Sequence, residues 1–276
     1  MDDLSDEDAL AMLDWQIALG ADEAILDAPV DRFALSAAPT DAPADAPGLP
    51  DASVTAAPQQ LARGDGPSAP AIDVVGLAES TARAAGDLSA LRAALEAFDP
   101  CPLSQTATQM VFADGRSDAR VMVISDAPRR EEDQQGRPFV GAEGRLFDRM
   151  LTAIGLSRMG DDGAQAVYVA PMVPWRPPQD RPPTPEEMAM LLPFMRRHVE
   201  LVGPDVLVLM GHHGCQALLG RPGITRLRGT WAEVAGRPAI AMLAPEHLLR
   251  KPADKALAWS DLLALRARLA RLDGSR

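Results

Sequence analysis

Residues able to do chemistry concentrate in four short segments: SDAPRREEDQQGRPFVG from Ser125, PMVPWRPPQDRPP from Pro171, GHHG from Gly211 and APEHLLRKP from Ala244. Asp126 and Glu132 offer carboxylates that could polarise a water. His212, His213 and His247 offer imidazoles whose charge changes near neutral pH. Phe139, within GRPFVG, offers a flat aromatic face. Each has a plainer reading beside it: a loop carboxylate is usually solvated, a lone histidine at a helix start is usually structural, and a Phe in a Pro-Phe-Val run is often packed beneath its loop. Ser125 next to Asp126 raises a serine hydrolase, but there is no Gly-x-Ser-x-Gly elbow and no Gly-Lys-Ser/Thr phosphate loop. Cys101 and Cys215 are the two cysteines, too few and too far apart for a disulfide framework or a four-thiolate metal site, which fits a reduced, cytoplasmic setting.

These segments need a scaffold, and the pattern around them supplies one. From Arg120 onward, β-rich runs at Val121 to Ile124, Val167 to Ala170, Val206 to Met210 and Ala239 to Leu243 alternate with helical patterns, as in an α/β domain with a largely parallel sheet. The four segments follow those four runs, so they gather at the carboxyl edge of the sheet, where such folds bind ligands. Thr184, Pro185 and Glu187 spell a capped helix start ahead of Met188, Leu191, Leu192, Phe194 and Met195. One helix is expected from about Asp73 to Phe98 and a last one from about Ala253 to Leu272.

The 276 residues divide unevenly in charge: residues 1 to 100 hold 19 acidic against 4 basic side chains, and residues 101 to 276 hold 20 against 23. The second part therefore permits contact with a phosphate backbone without demanding it, whereas the acidic arm would repel DNA. Residues 36–71 are rich in Pro, Ala and Asp and nearly devoid of large apolar groups, which predicts a disordered linker. The organisation expected is an acidic helical arm over 1–35, with an amphipathic helix from Leu4 to Leu19 that docks on the body or binds a protein partner, then the linker, then a domain over 72–276. The acidic start MDDLSDED is unlike a secretory signal, and no apolar run reaches membrane-spanning length.

SDAPRREEDQQGRPFVGAEGRLFDRML resembles the first motif of family 4 uracil-DNA glycosylases, which opens Gly-Glu-Ala-Pro-Gly and continues through Glu-Asp, Gly and Pro-Phe-Val-Gly. VPWRPPQDRPPTPEE is similar to that family's Pro-rich loop and following helix, and APEHLLRKP stands where its His-Pro motif lies. The likeness runs from about residue 97 to 268. It implies a three-layer α/β/α fold with a mostly parallel central sheet, and a base-excision activity that extrudes a base, stacks it, reads its edge and stabilises the departing anion. Carried over by position, it assigns stacking to Phe139, the acidic and backbone elements to Asp126, Ala127 and Glu132, base reading to position 171 and anion stabilisation to position 244.

Departures from the pattern fall on those positions. Ser125 and Arg129 stand where the family has glycines, Pro171 has neither a side-chain amide nor an N–H, and Ala244 cannot donate a hydrogen bond. Losing one such donor typically costs roughly 10² to 10³ in rate, so weak or absent uracil excision is expected. The family's four-iron cluster positions correspond to Phe98, Cys101, Trp175 and Leu191; one thiolate cannot hold it, so no cluster and no metal are expected, with Cys101 a core thiol. Three readings follow: a repair glycosylase with altered base choice, using Phe139 with Asp126 or Glu132; a noncatalytic DNA-binding or scaffolding protein on the same fold; and a hydrolase using Ser125 with Asp126.

Overall fold

The computed structural model describes residues 73–274. The arm helix Leu4 to Leu19 and the linker 36–71 lie outside the described residues.

Six strands form one sheet in the order β1-β3-β2-β4-β6-β5. β2 (Val121–Ser125), β3 (Val167–Pro171), β4 (Val206–Met210) and β6 (Arg237–Met242) are mutually parallel, while β1 (Asp114–Gly115) and β5 (Trp231–Val234) pair antiparallel at the two edges. All five residues of β2, β3 and β4 are buried, because side chains alternate between two covered faces. Val121, Val123, Val169, Val208 and Met242 face one apolar cluster with Phe147 and Met150 of α4 (Gly141–Thr152) and Leu262, Leu265 and Leu269 of α9 (Lys255–Asp273). Met122, Ile124, Tyr168, Leu207 and Leu209 face the other, with Met195 and Val199 of α5 (Pro185–Val202) and Cys215 of α6 (His212–Leu219). The result is the three-layer α/β/α arrangement expected. Among the described residues no helix is long and apolar enough to cross a membrane.

The α5 start follows the sequence pattern: Thr184 Oγ1 accepts the Glu187 N–H at 3.2 Å and Glu187 returns a carboxylate oxygen to the Thr184 N–H at 2.8 Å. The single helix expected over Asp73 to Phe98 is two, α1 (Val74–Ala84) and α2 (Leu88–Glu96). The Asp87 carboxylate caps a new start by accepting the Ala90 N–H at 2.7 Å, and the Arg197 guanidinium takes up the freed carbonyl of Ala85 at 2.9 and 3.0 Å. Both helices pack against the outer side of α5 through Ala78, Ala82, Leu91 and Leu95 meeting Leu191 and Phe194. The last helix begins at Lys255, because Pro252–Asp254 forms a 3-10 turn ahead of it. Between β2 and α4 lies α3 (Arg130–Gln135); α7 (Ile224–Leu227) precedes β5, and α8 (Pro245–Arg250) follows β6.

Candidate active site

The loop after β2 is fixed to the loop after β4 by one carboxylate. Asp126 accepts the backbone N–H groups of His212 and His213 at 2.8 Å and of Gly214 at 3.1 Å, capping α6 from a loop 86 residues away in sequence. Gly211, at φ 122°, turns the chain into this contact; a Cβ there would lie 2.3 Å from the Asp126 carboxyl carbon. The same carboxylate stands 3.5 Å from Nδ1 of His213. Burial works against the charged form of Asp126, but the His213 ring and the N–H groups of His212 and Gly214 outweigh it and hold the carboxyl below its ordinary value. His213 is raised by its contact with Asp126, against the opposing effect of burial.

Glu132 organises a second loop. Its carboxylate accepts the Arg129 N–H at 2.8 Å and the Phe139 N–H at 2.5 Å, and burial raises it against the lowering effect of those two donors. Phe139 sits at φ 50°, a left-handed conformation that costs a residue other than glycine roughly 1–3 kcal/mol and persists only when its surroundings impose it. Those surroundings are specific. Arg158 donates to the Pro138 carbonyl at 3.0 Å while its guanidinium binds Asp148 at 2.8 and 2.9 Å and Asp114 at 2.9 Å. The Phe139 ring stacks on Phe147 at 4.2 Å between centroids and is 5% exposed. Helix α4 meets the Phe139 carbonyl at Gly144, where a Cβ would come within 2.0 Å of that oxygen.

Asp126, Ala127, Arg129, Arg181, His213 and Glu246 share the wall of a mouth of about 130 Å³ at the carboxyl edge of the sheet. Arg129 forms an ion pair with Glu246, joining the loop after β2 to α8 across that mouth. Two cavities adjoin it. One, about 270 Å³, is an apolar groove shared at Pro183 and His213, and the other, about 320 Å³, is shared at Arg129 and Asp180 and lined also by Glu132 and Glu143. Burial first, then the nearby Glu132, Glu246 and Glu131, pushes the Glu143 carboxyl up to about 7, with Arg129 pulling the other way.

The remaining positions separate from this group. Ser125 is buried at the end of β2. Pro171 walls a void of about 10 Å³ together with Phe112, Leu191 and His198 instead of lining the mouth. Ala244 is the N-cap residue of α8 and packs against the apolar core. His247 is bound to Asp254 at 2.5 Å, and His212 lies edge-on to His213 at 5.4 Å. Sequence reasoning grouped the three loop histidines; only His213 lines the mouth. It missed Arg158, the Arg129–Glu246 pair and Glu143, whose signals are partners distant in the chain.

Phe98, Cys101, Trp175 and Leu191 do come together, as parts of one buried apolar cluster under α1 and α2. Three of the four carry hydrocarbon or aromatic side chains, and burial pushes the Cys101 thiol up. This donor set does not fit an iron-sulfur cluster, which needs thiolates or imidazoles on every iron. Among the described residues no group of three or more His, Cys, Asp or Glu could hold a metal ion.

Residues 112–263 match the sequence model of the uracil DNA glycosylase superfamily. The chain is 34% identical over 158 residues to the type-4 uracil-DNA glycosylase of Thermotoga maritima, covering 56% of this chain and 79% of that protein. It is 35% identical over 161 residues to the type-4 enzyme of Archaeoglobus fulgidus, covering 55% and 78%. With the type-4 enzyme of Pyrobaculum aerophilum it shares 30% over 187 residues, covering 64% and 91%.

Proposed function

The chain belongs to the uracil DNA glycosylase superfamily, and on that premise we propose that it is a DNA-directed repair protein whose excision of uracil is weak or lost. The observation that carries this reading is the state of two positions. At 171 a proline, without N–H or side-chain amide, walls an internal void away from the mouth, and at 244 an alanine without a side-chain donor caps α8. In the same reading Asp126 and Glu132 act through the groups they hold, the first through His213 and the second through Phe139, instead of activating water themselves. Phe139 would stack a base only once its loop lifts, since its ring is already covered. No iron-sulfur cluster takes part. The setting is cytoplasmic, residues 72–276 form the working domain, and the acidic arm is left for a protein partner.

The test is single-turnover excision, with protein in excess, on labelled single- and double-stranded DNA carrying uracil, hypoxanthine or xanthine, beside direct binding to the same DNA without the lesion. DNA with and without uracil is expected to bind alike, and the double substitution P171N/A244H is expected to raise uracil excision by roughly 10² or more. Wild-type excision as fast as that of the double substitution would overturn the reading. Stoichiometric iron in anaerobically purified protein would overturn the exclusion of a cluster. A noncatalytic DNA-binding role is favoured over altered base choice if all three lesions survive intact.

A further inference from the structure

We propose that His213, held by Asp126, is the anion-stabilising group of this mouth, so that whatever N-glycosidic cleavage the protein retains runs through its imidazolium. The inference rests on the family reading above. Position 244, which the resemblance assigns to this task, holds an alanine, and of the histidines carried by the loops only His213 lines the mouth.

The geometry meets the requirements of the role. Nδ1 is shielded from solvent and faces Asp126 at 3.5 Å, which leaves Nε2 as the nitrogen able to meet a ligand. His213 also walls the adjoining apolar groove, so the ring stands where an extruded base would enter between two cavities. A cation at a helix start is ordinarily disfavoured by the helix dipole, and here the Asp126 carboxylate lies on that end and offsets it. The charged and titratable groups facing the ring are Asp126 and Arg129 from the loop after β2, Asp180 and Arg181 from the loop after β3, His212 from its own helix and Glu246 from α8. Arg129 pairs with Glu246, Asp180 with Arg176 at 2.7 Å and Arg181 with Glu187 at 2.6 Å. Asp126 is thus the charge that touches the imidazole, and it favours the protonated ring, as the raised His213 value reflects.

The step balances without a further reagent. The bond from the sugar C1′ to the base nitrogen breaks with its electron pair leaving on the base. The Nε2–H of the imidazolium hydrogen-bonds an exocyclic oxygen of that base and gives up its proton to it. Water adds its oxygen to C1′, and the proton it releases restores the imidazolium. The substrate class is therefore a nucleoside in DNA whose base carries an exocyclic oxygen.

Single-turnover excision of uracil and hypoxanthine from single-stranded DNA, followed from about pH 5 to about pH 9, tests the assignment. Wild-type protein is expected to cleave slowly, fastest at low pH, with the rate falling as His213 deprotonates above its ordinary value. His213→Asn is expected to lose roughly 10² of that rate and the pH dependence with it. Asp126→Asn is expected to move the fall to lower pH, a displacement that a merely structural role would not produce, while His212→Asn retains the wild-type profile. Thermal melting of each variant checks folding. Cleavage by His213→Asn at the wild-type rate and profile overturns the proposal. So does the absence of cleavage at every pH in a wild-type protein that still binds DNA, an outcome that leaves the repair reading standing. Absence of both cleavage and DNA binding overturns both.

Discussion

Two regions of this molecule, the cluster around Cys101 and the mouth beside Asp126, are built in opposite ways. Around Phe98, Cys101, Trp175 and Leu191 the chain closes into an apolar cluster in which all four are nearly inaccessible. At the mouth the space stays open and charged, lined by Asp126, Arg129, Arg181, His213 and Glu246, with the Glu132 loop and its left-handed Phe139 alongside. A closed apolar cluster stabilises the fold, since each Å² of apolar surface buried contributes about 25 cal/mol. Keeping desolvated charges and a strained loop runs against stability, and such local violations are expected where a site still has work to do.

That contrast can be broken or sharpened by substitution. The largest effect belongs to the closed region: Trp175→Ala is expected to cost about 3–5 kcal/mol in urea unfolding, because a well-packed aromatic leaves a cavity. A cost below 1 kcal/mol would mean the cluster is not packed as a core. In the loop beside the mouth, Glu132→Ala removes the acceptor for two N–H groups and is expected to cost about 2 kcal/mol, with amide exchange at Phe139 speeding up well before global unfolding. Unchanged exchange would show that Glu132 does not hold the loop.

Glu143 gives a smaller, pH-dependent effect. Its folded value, about 7, lies above its ordinary one, so the folded protein holds a proton that the unfolded chain has released. Stability from this group is complete below about pH 4.5 and declines as pH rises toward about 7. Glu143→Gln should therefore melt higher than wild type at alkaline pH, by on the order of 1 kcal/mol since solvent screens a half-exposed group, and the gap should close in acid. A gap that widens in acid reverses the sign and refutes the account. The smallest effect is the Arg129–Glu246 coupling, expected at about 0.2–1 kcal/mol in a double-mutant cycle and fading in high salt. A coupling that survives salt would make the pair a structural tie across the mouth.

The central strands were legible because both faces are covered, which turns Val121 to Ile124 and Val206 to Met210 into unbroken apolar runs. The edge strands were not: β1 is the dipeptide Asp114–Gly115, and β5 has two exposed residues, Ala232 and Glu233, among its four. The α1–α2 break was hidden because Gly86 and Asp87 interrupt a pattern whose apolar spacing continues through them. At the site, residue types were readable and partnerships were not. Asp126 and Glu132 stood out as loop carboxylates, but that one binds N–H groups 86 to 88 positions away and the other the N–H of a left-handed Phe139 is information that only folding brings together. For the same reason His213 could not be told from His212 or His247.

Gly144 carries a consequence for anyone seeking a hardier version of this protein. A glycine inside α4 invites replacement by alanine, which ordinarily strengthens a helix by about 1 kcal/mol. Here the added methyl would occupy the place of the Phe139 carbonyl oxygen. The standard recipe for thermal hardening would thus dislodge the aromatic loop it was never aimed at, and sequence libraries built on helix propensity should hold position 144 fixed.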